Sequence, residues 1–151
     1  MVKPQLPHVL QGEHEELYEE IWKATKLGGE TGAAAKAVVK VLLPHVVLEE
    51  EFGLPPLSVL PRLARGEITS DMAPLIDTAA RLKAEMPRML DDHRHIVKAL
   101  QNLLRAATAE KHAGYAQFAQ KLILHAQMEE EVLYPASILV GEYLKWKLGR
   151  T

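Results

Sequence analysis

Apolar residues recur at alternating spacings of three and four along four long stretches, residues 6 to 27, 32 to 53, 71 to 108 and 112 to 134. That spacing marks a helix face turned toward other helices. A shorter amphipathic stretch, 136 to 148, predicts a tail helix. Breakers fall between these segments: Gly28-Gly29 ends the first, Thr31-Gly32 can start the second, and Gly53 followed by Pro55-Pro56 stops it. Ser70 and Asp71 are candidate N-caps for the third helix, with Pro74 in its first turn. Residues 54 to 70, rich in proline, read as a connector with room for a short helical turn. Pro44 and Pro87 fall inside predicted helices, where each removes a backbone hydrogen bond and is expected to kink its helix. The expectation is an all-α, up-down four-helix bundle over residues 1 to 151, one domain with a short C-terminal helix.

The seams of those helices are not wholly apolar. The first reads Leu10, His14, Leu17, Ile21, Ala24; the second Val38, Leu42, His45, Glu49, Phe52. The third reads Leu82, Met86, Met89, His93, Ile96, Leu100, Leu103, and the fourth Tyr115, Phe118, Leu122, His125, Glu129, Val132. Each seam is interrupted near its middle by a histidine, and two add a glutamate one turn later. Four residues return a helix to within roughly 40 degrees of the same face, about 6 Å further along, so His45 with Glu49 and His125 with Glu129 can each serve one shared site. A buried carboxylate without a partner would take up a proton, and bound cations remove that cost. A single histidine on an apolar seam is more often a hydrogen-bonded core residue; four of them, one per helix, point to metal. The chain also looks doubled, since His14 and His45 lie 31 residues apart and His93 and His125 lie 32 apart, with HxxxEEE opening at the second histidine of each pair.

Composition narrows the chemistry. With no cysteine, thiolate zinc sites, iron-sulfur clusters and cysteine nucleophiles are excluded, so imidazole and carboxylate must hold any metal. A net charge of -2 lacks the basic excess that binding nucleic acid needs. No run was expected to approach the roughly 20 apolar residues of a membrane span, and the first residues show no signal-peptide pattern, which together read as a cytoplasmic protein with no membrane partner. The other histidines are better explained as solvated: His8 at a fraying start, His112 near a helix N-terminus, and His95 about 200 degrees around the helix from His93. Tyr18 and Tyr134 lie within a turn or so of the candidate ligands, as packing residues or as hydrogen-bond donors to the site. Glu50-Glu51 and Glu130-Glu131 are expected on a solvated face.

A histidine on helix 1, HxxxE on helix 2, a histidine on helix 3 and HxxxE on helix 4 together resemble the hemerythrin-like, or HHE cation-binding, family. The strings LQGEHEEL, LPHVVLEEEFG, LDDHRHIVKAL and LILHAQMEEEVLYP carry that resemblance over nearly the whole chain. It implies two iron ions held by His14, His45, Glu49, His93, His125 and Glu129. One ion would favour the histidines of each hairpin, with Glu49 and Glu129 bridging them beside an oxo or hydroxo group. The oxygen-carrying members place a second histidine on helix 3 where this chain has Met89, and their helix 4 carboxylate one residue later, where this chain has Glu130. Glu129 falls on the seam and is preferred; Glu130 is the alternative ligand if the helix is locally rotated. Fewer histidines leave more positions open to dioxygen, peroxide or nitric oxide, which argues for redox response or detoxification, with modest peroxide-decomposing activity, over reversible oxygen carriage. Imidazole with carboxylate also suits zinc and manganese. A module that senses or stores iron without turnover is the alternative, with the tail VGEYLKWKLGR, bearing Tyr143, Leu144, Trp146 and Leu148, as a homodimer seam or a cover for the bundle end.

Overall fold

In the computed structural model residues 5–149 are described, and most of them are helical. The elements are α1 (His8–Thr25), α2 (Gly29–Leu48), a short α3 (Leu60–Ala64), α4 (Pro74–Ala109), α5 (Ala113–Met128) and α6 (Tyr134–Lys147), with no strand among the described residues. Two π-helical turns, Glu49–Gly53 and Glu129–Leu133, continue α2 and α5 without a break. The second runs straight into α6, so the tail helix starts at Tyr134 rather than after a separate turn. The connector holds a 3₁₀ turn at Pro55–Val59, then α3 and a second 3₁₀ turn at Ser70–Met72.

The seam residues pack as one would expect of facing helices, with one exception. Ile21 and Ala24 of α1, Val38 and Leu42 of α2, Ile96, Leu100 and Leu103 of α4, and Phe118 and Leu122 of α5 share one apolar cluster. A second cluster joins Phe52, Leu54, Leu57, Leu82, Met89 and Tyr134, with Leu10 and Met86 against it. Val132, expected on the seam of the fourth helix, is 55% exposed, and Tyr134 is fully buried in its stead. A π turn holds one residue more than an α turn, so the register beyond Glu129 rotates and brings the tyrosine inward.

Local chemistry accounts for the other departures. Helix α2 begins at Gly29, three residues before the expected start, because Glu110 at the far end of α4 accepts hydrogen bonds from the Glu30 and Thr31 amides and the Thr31 hydroxyl. A carboxylate there meets the free N–H groups and the positive end of the helix dipole. Ser70 and Asp71 do not cap α4; they form the 3₁₀ turn before it, and Asp71 accepts from Thr69 and Arg62. Pro74 does sit in the first turn. Helices α2 and α4 run through Pro44 and Pro87, both on exposed faces where water can satisfy the carbonyls they leave unpaired. Helix α6 lies against α4, where Gly141 permits close approach: a Cβ there would collide with that of Ala79.

One helical stretch, Gly29–Gly53, is long and apolar enough to cross a membrane, with a mean hydropathy of 1.4 over its best window, contrary to the sequence expectation. Five of its apolar residues, Ala35, Val38, Leu42, Val46 and Phe52, are buried in the protein's own core, whereas Val47 is 57% exposed.

Candidate metal centre

Between the two apolar clusters lies a polar layer. It is built by α1 (His14), α2 and its π turn (His45, Glu49), α4 (His93), and α5 and its π turn (His125, Glu129). Five of these six side chains are at most 4% exposed; that of His125 is 14% exposed. Ligand atoms of His45, Glu49, His93 and Glu129 lie within 4.8 Å of one another, as do those of His14, His125 and Glu129. All six sequence candidates are therefore brought together, in two groups that share Glu129. Glu49 reaches toward both as well, its Oε1 lying 3.8 Å from His45 Nε2 and 4.0 Å from His14 Nε2.

The grouping differs from that implied by the resemblance. His45 pairs with His93, ring centroids 4.6 Å apart, and His14 faces His125 at 6.5 Å. Each group thus takes one histidine from each predicted hairpin, rather than both from one. Helix α2 packs directly on α4, which brings their inward histidines together.

Carboxylates behind the rings orient them. The Nδ1–H of His45 donates to Asp92 (3.0 Å), that of His93 to Glu130 (2.9 Å) and that of His14 to Glu50 (3.3 Å). An imidazole whose Nδ1 proton is engaged by a carboxylate presents its Nε2 lone pair on the opposite side, here inward, as metal-binding histidines do. Glu50 and Glu130 are consequently not on the solvated face expected for them. They are 37% exposed and bridge to the neighbouring helix, whereas Glu51 is 51% exposed and pairs with Arg81. Glu130 is a partner of His93 and does not belong to either ligand group. Asp92 was not anticipated; its sole sequence signal is its place beside His93, on the flank of the seam that meets α2.

Tyr134 proves to be part of the layer. Its hydroxyl lies 2.7 Å from Glu49 Oε2 and 3.1 Å from Nε2 of both His45 and His93. Tyr18 lines the cavity between the ligand groups. Burial, helped by Glu50 and Glu49, pushes its hydroxyl up to about 12.

Burial and mutual contact shift the titration of several groups in the layer. Burial and the charge of Glu129 push the Glu49 carboxyl far above its ordinary value. Burial opposes ionisation of Glu129 too, but contacts from Glu49, His125 and His93 hold it well below the usual carboxylate range. Even so, Glu129 Oε2 is buried with no hydrogen-bond partner. Burial holds His45 below its ordinary value. His93 and His125 are raised: burial opposes this but contact with Glu129 outweighs it. An orphaned buried carboxylate oxygen in a layer of imidazoles and carboxylates fits a cation. The cavity between the groups has about 30 Å³ of free volume, and a water needs about 10–15 Å³ on that measure, so roughly two small species fit. A groove of about 320 Å³ between α1 and α5, edged by Glu13, Glu16, Lys121, Leu124 and Met128, reaches His125 from outside.

The remaining histidines stay out of the site. His8 and His95 are exposed, the Nδ1–H of His95 donating to the carbonyl of Asp91 in its own helix (2.9 Å), and His112 stands at the N-terminus of α5. No family model, curated protein or solved structure matches this chain. Fold and site together define a class: an all-helical protein whose buried His/Glu cluster can hold a metal ion.

Proposed function

We propose that the chain is a single-domain, hemerythrin-like four-helix bundle whose cluster holds two iron ions, and that it reacts with dioxygen, peroxide or nitric oxide in redox response or detoxification. The observation that carries this reading is the pair of ligand groups meeting at Glu129, in a chain whose four histidine-bearing helices each supply one imidazole. His45, His93, Glu49 and Glu129 would hold one ion; His14, His125 and Glu129 the other, with Glu49 near both. Iron in such a site supplies one-electron steps between its ferrous and ferric states.

The residues themselves do the rest. Asp92, Glu130 and Glu50 lock three imidazoles in the tautomer that can ligate. The apolar clusters on both sides keep bulk water from the layer, and the α1–α5 groove gives a small molecule a route to His125. The half with three protein ligands has more positions left for such a molecule than the half with four. Tyr18 lines the cavity, where its hydroxyl can hydrogen-bond to a bound small molecule.

Metal analysis of freshly isolated protein, with its visible and near-ultraviolet spectrum, tests the proposal. Two irons per chain and a spectral change when the ferrous protein is titrated with peroxide are expected. Metal-free protein that takes up no iron would sink the whole reading, and two irons with no spectral response would sink the reactive part of it.

A further inference from the structure

One oxygen in the polar layer has too many acceptors around it. With the Nδ1 protons of His45 and His93 committed to Asp92 and Glu130, both Nε2 lone pairs converge on the Tyr134 hydroxyl, 3.1 Å away each, and Glu49 Oε2 lies 2.7 Å from the same oxygen. A phenol has one proton, which satisfies one of these three acceptors. With both imidazoles neutral, as metal ligands must be, the others face an oxygen lone pair inside a buried layer, an arrangement that a cation relieves. The spacing agrees: donor atoms about 2.1 Å from one ion and at right angles to one another stand about 3 Å apart. The hydroxyl and the two imidazole nitrogens thus stand at the separations that donors to one ion would have.

The two halves differ at this point. Tyr134 is the fifth residue after Glu129; the fifth residue after Glu49 is Leu54, so the doubled sequence supplies a phenol to one half only. The rotated register of the Glu129–Leu133 turn is what carries Tyr134 inward.

We propose that Tyr134 is itself a metal ligand, its phenolate oxygen completing the group formed by His45, His93, Glu49 and Glu129, so that exogenous small molecules bind at the other ion, between His14 and His125. This assignment rests on the two-ion reading above. Binding of the ion displaces the phenol proton to solvent, one proton per ion, with no change of oxidation state. Five protein donors crowd the His45–His93 position, whereas the His14–His125 position has fewer and lies at the end of the α1–α5 groove.

The test loads the full chain with ferric iron, counts the metal, and records the visible and resonance Raman spectra. Expected are a phenolate-to-ferric charge-transfer band and tyrosine ring modes enhanced within it. Tyr134→Phe should abolish both while two irons remain at saturating iron, and Tyr18→Phe should leave both intact. Ring-deuterated tyrosine in the unaltered chain shifts the same modes, so the assignment is testable even if a variant does not fold. Azide, as a probe ligand, should bind once per chain. Two bound irons without phenolate modes, modes that survive in Tyr134→Phe, modes lost in Tyr18→Phe, or two azides per unaltered chain each overturn the assignment and leave the two-ion reading standing. A chain that takes up no iron overturns both.

Discussion

Glu129 is the most informative residue to change, because it is the carboxylate common to both ligand groups. In Glu129→Gln the side chain keeps its size and can still hydrogen-bond, but the negative charge near His93 Nε2 (3.4 Å) and His125 Nε2 (3.6 Å) is lost. Without metal the consequences partly cancel. The raised imidazoles lose their counter-charge, while Glu49 loses the repulsion that helped push its own carboxyl up. With metal they do not cancel. A cation at about 100 times its Kd stabilises the folded chain by about 2.7 kcal/mol. For a chain of this size that is a rise in Tm of roughly 5–10 °C. Disturbing a residue that merely orients a ligand weakens binding by about 10- to 100-fold, so removing a shared ligand should cost at least about 100-fold. At the same metal concentration the stabilisation then falls to about 0.4 kcal/mol, a shift of roughly 1 °C. Differential scanning calorimetry of both proteins, metal-free and at matched free ferrous iron, measures the contrast. An undiminished metal-induced shift in Glu129→Gln would refute the sharing of this carboxylate.

Three further outcomes are expected. His45→Ala and His93→Ala should lose the same ion, and His14→Ala and His125→Ala the other; metal analysis should find about one ion per chain in each single variant and in each same-group double variant, and loss of both ions on combining His45→Ala with His93→Ala would contradict the cross-hairpin grouping. The metal-free and metal-loaded proteins should have opposite pH slopes. Glu49, His93 and His125 are raised in the folded chain, so their contribution is present at low pH and lost as pH rises, with the lowered His45 opposing it below its ordinary value. Metal needs deprotonated ligands and stabilises more as pH rises, so the Tm gap between the two forms should widen from about pH 6 to about pH 8; a constant gap in thermal melts would show that these groups do not ligate. Finally, Gly141→Ala should destabilise by about 1–3 kcal/mol through collision with Ala79 on α4, measured by urea denaturation, whereas the same change at exposed Gly114, which has nothing nearby, should not.

Much of the framework was legible because helical burial has a period. The alternation of threes and fours located the long helices to within a few residues and set His14, His45, His93 and His125 on inward faces, where the structure has them. Where the period itself changed, the reading failed. No local preference announces the π turn at Glu129–Leu133, and an α-helical count beyond it put Val132 inside and left Tyr134 among residues of uncertain role. Glu50 and Glu130 were misplaced for a related reason: a residue one step off the seam faces solvent in an isolated helix but meets the neighbouring helix in a packed one.

The sequence by itself determined that four helices would each turn an imidazole inward and that two would add a carboxylate, since both facts follow from spacing within a single helix. Only the tertiary structure decided which histidines stand together, that Glu129 belongs to both groups, that Asp92 orients His45, and that Tyr134 enters the layer. The Asp92 and Tyr134 hydrogen bonds join residues 41 to 89 apart, and His14 faces His125 from 111 residues away. They depend on which helix packs against which and on its rotation about its own axis, and neither is encoded in the pattern of any one segment.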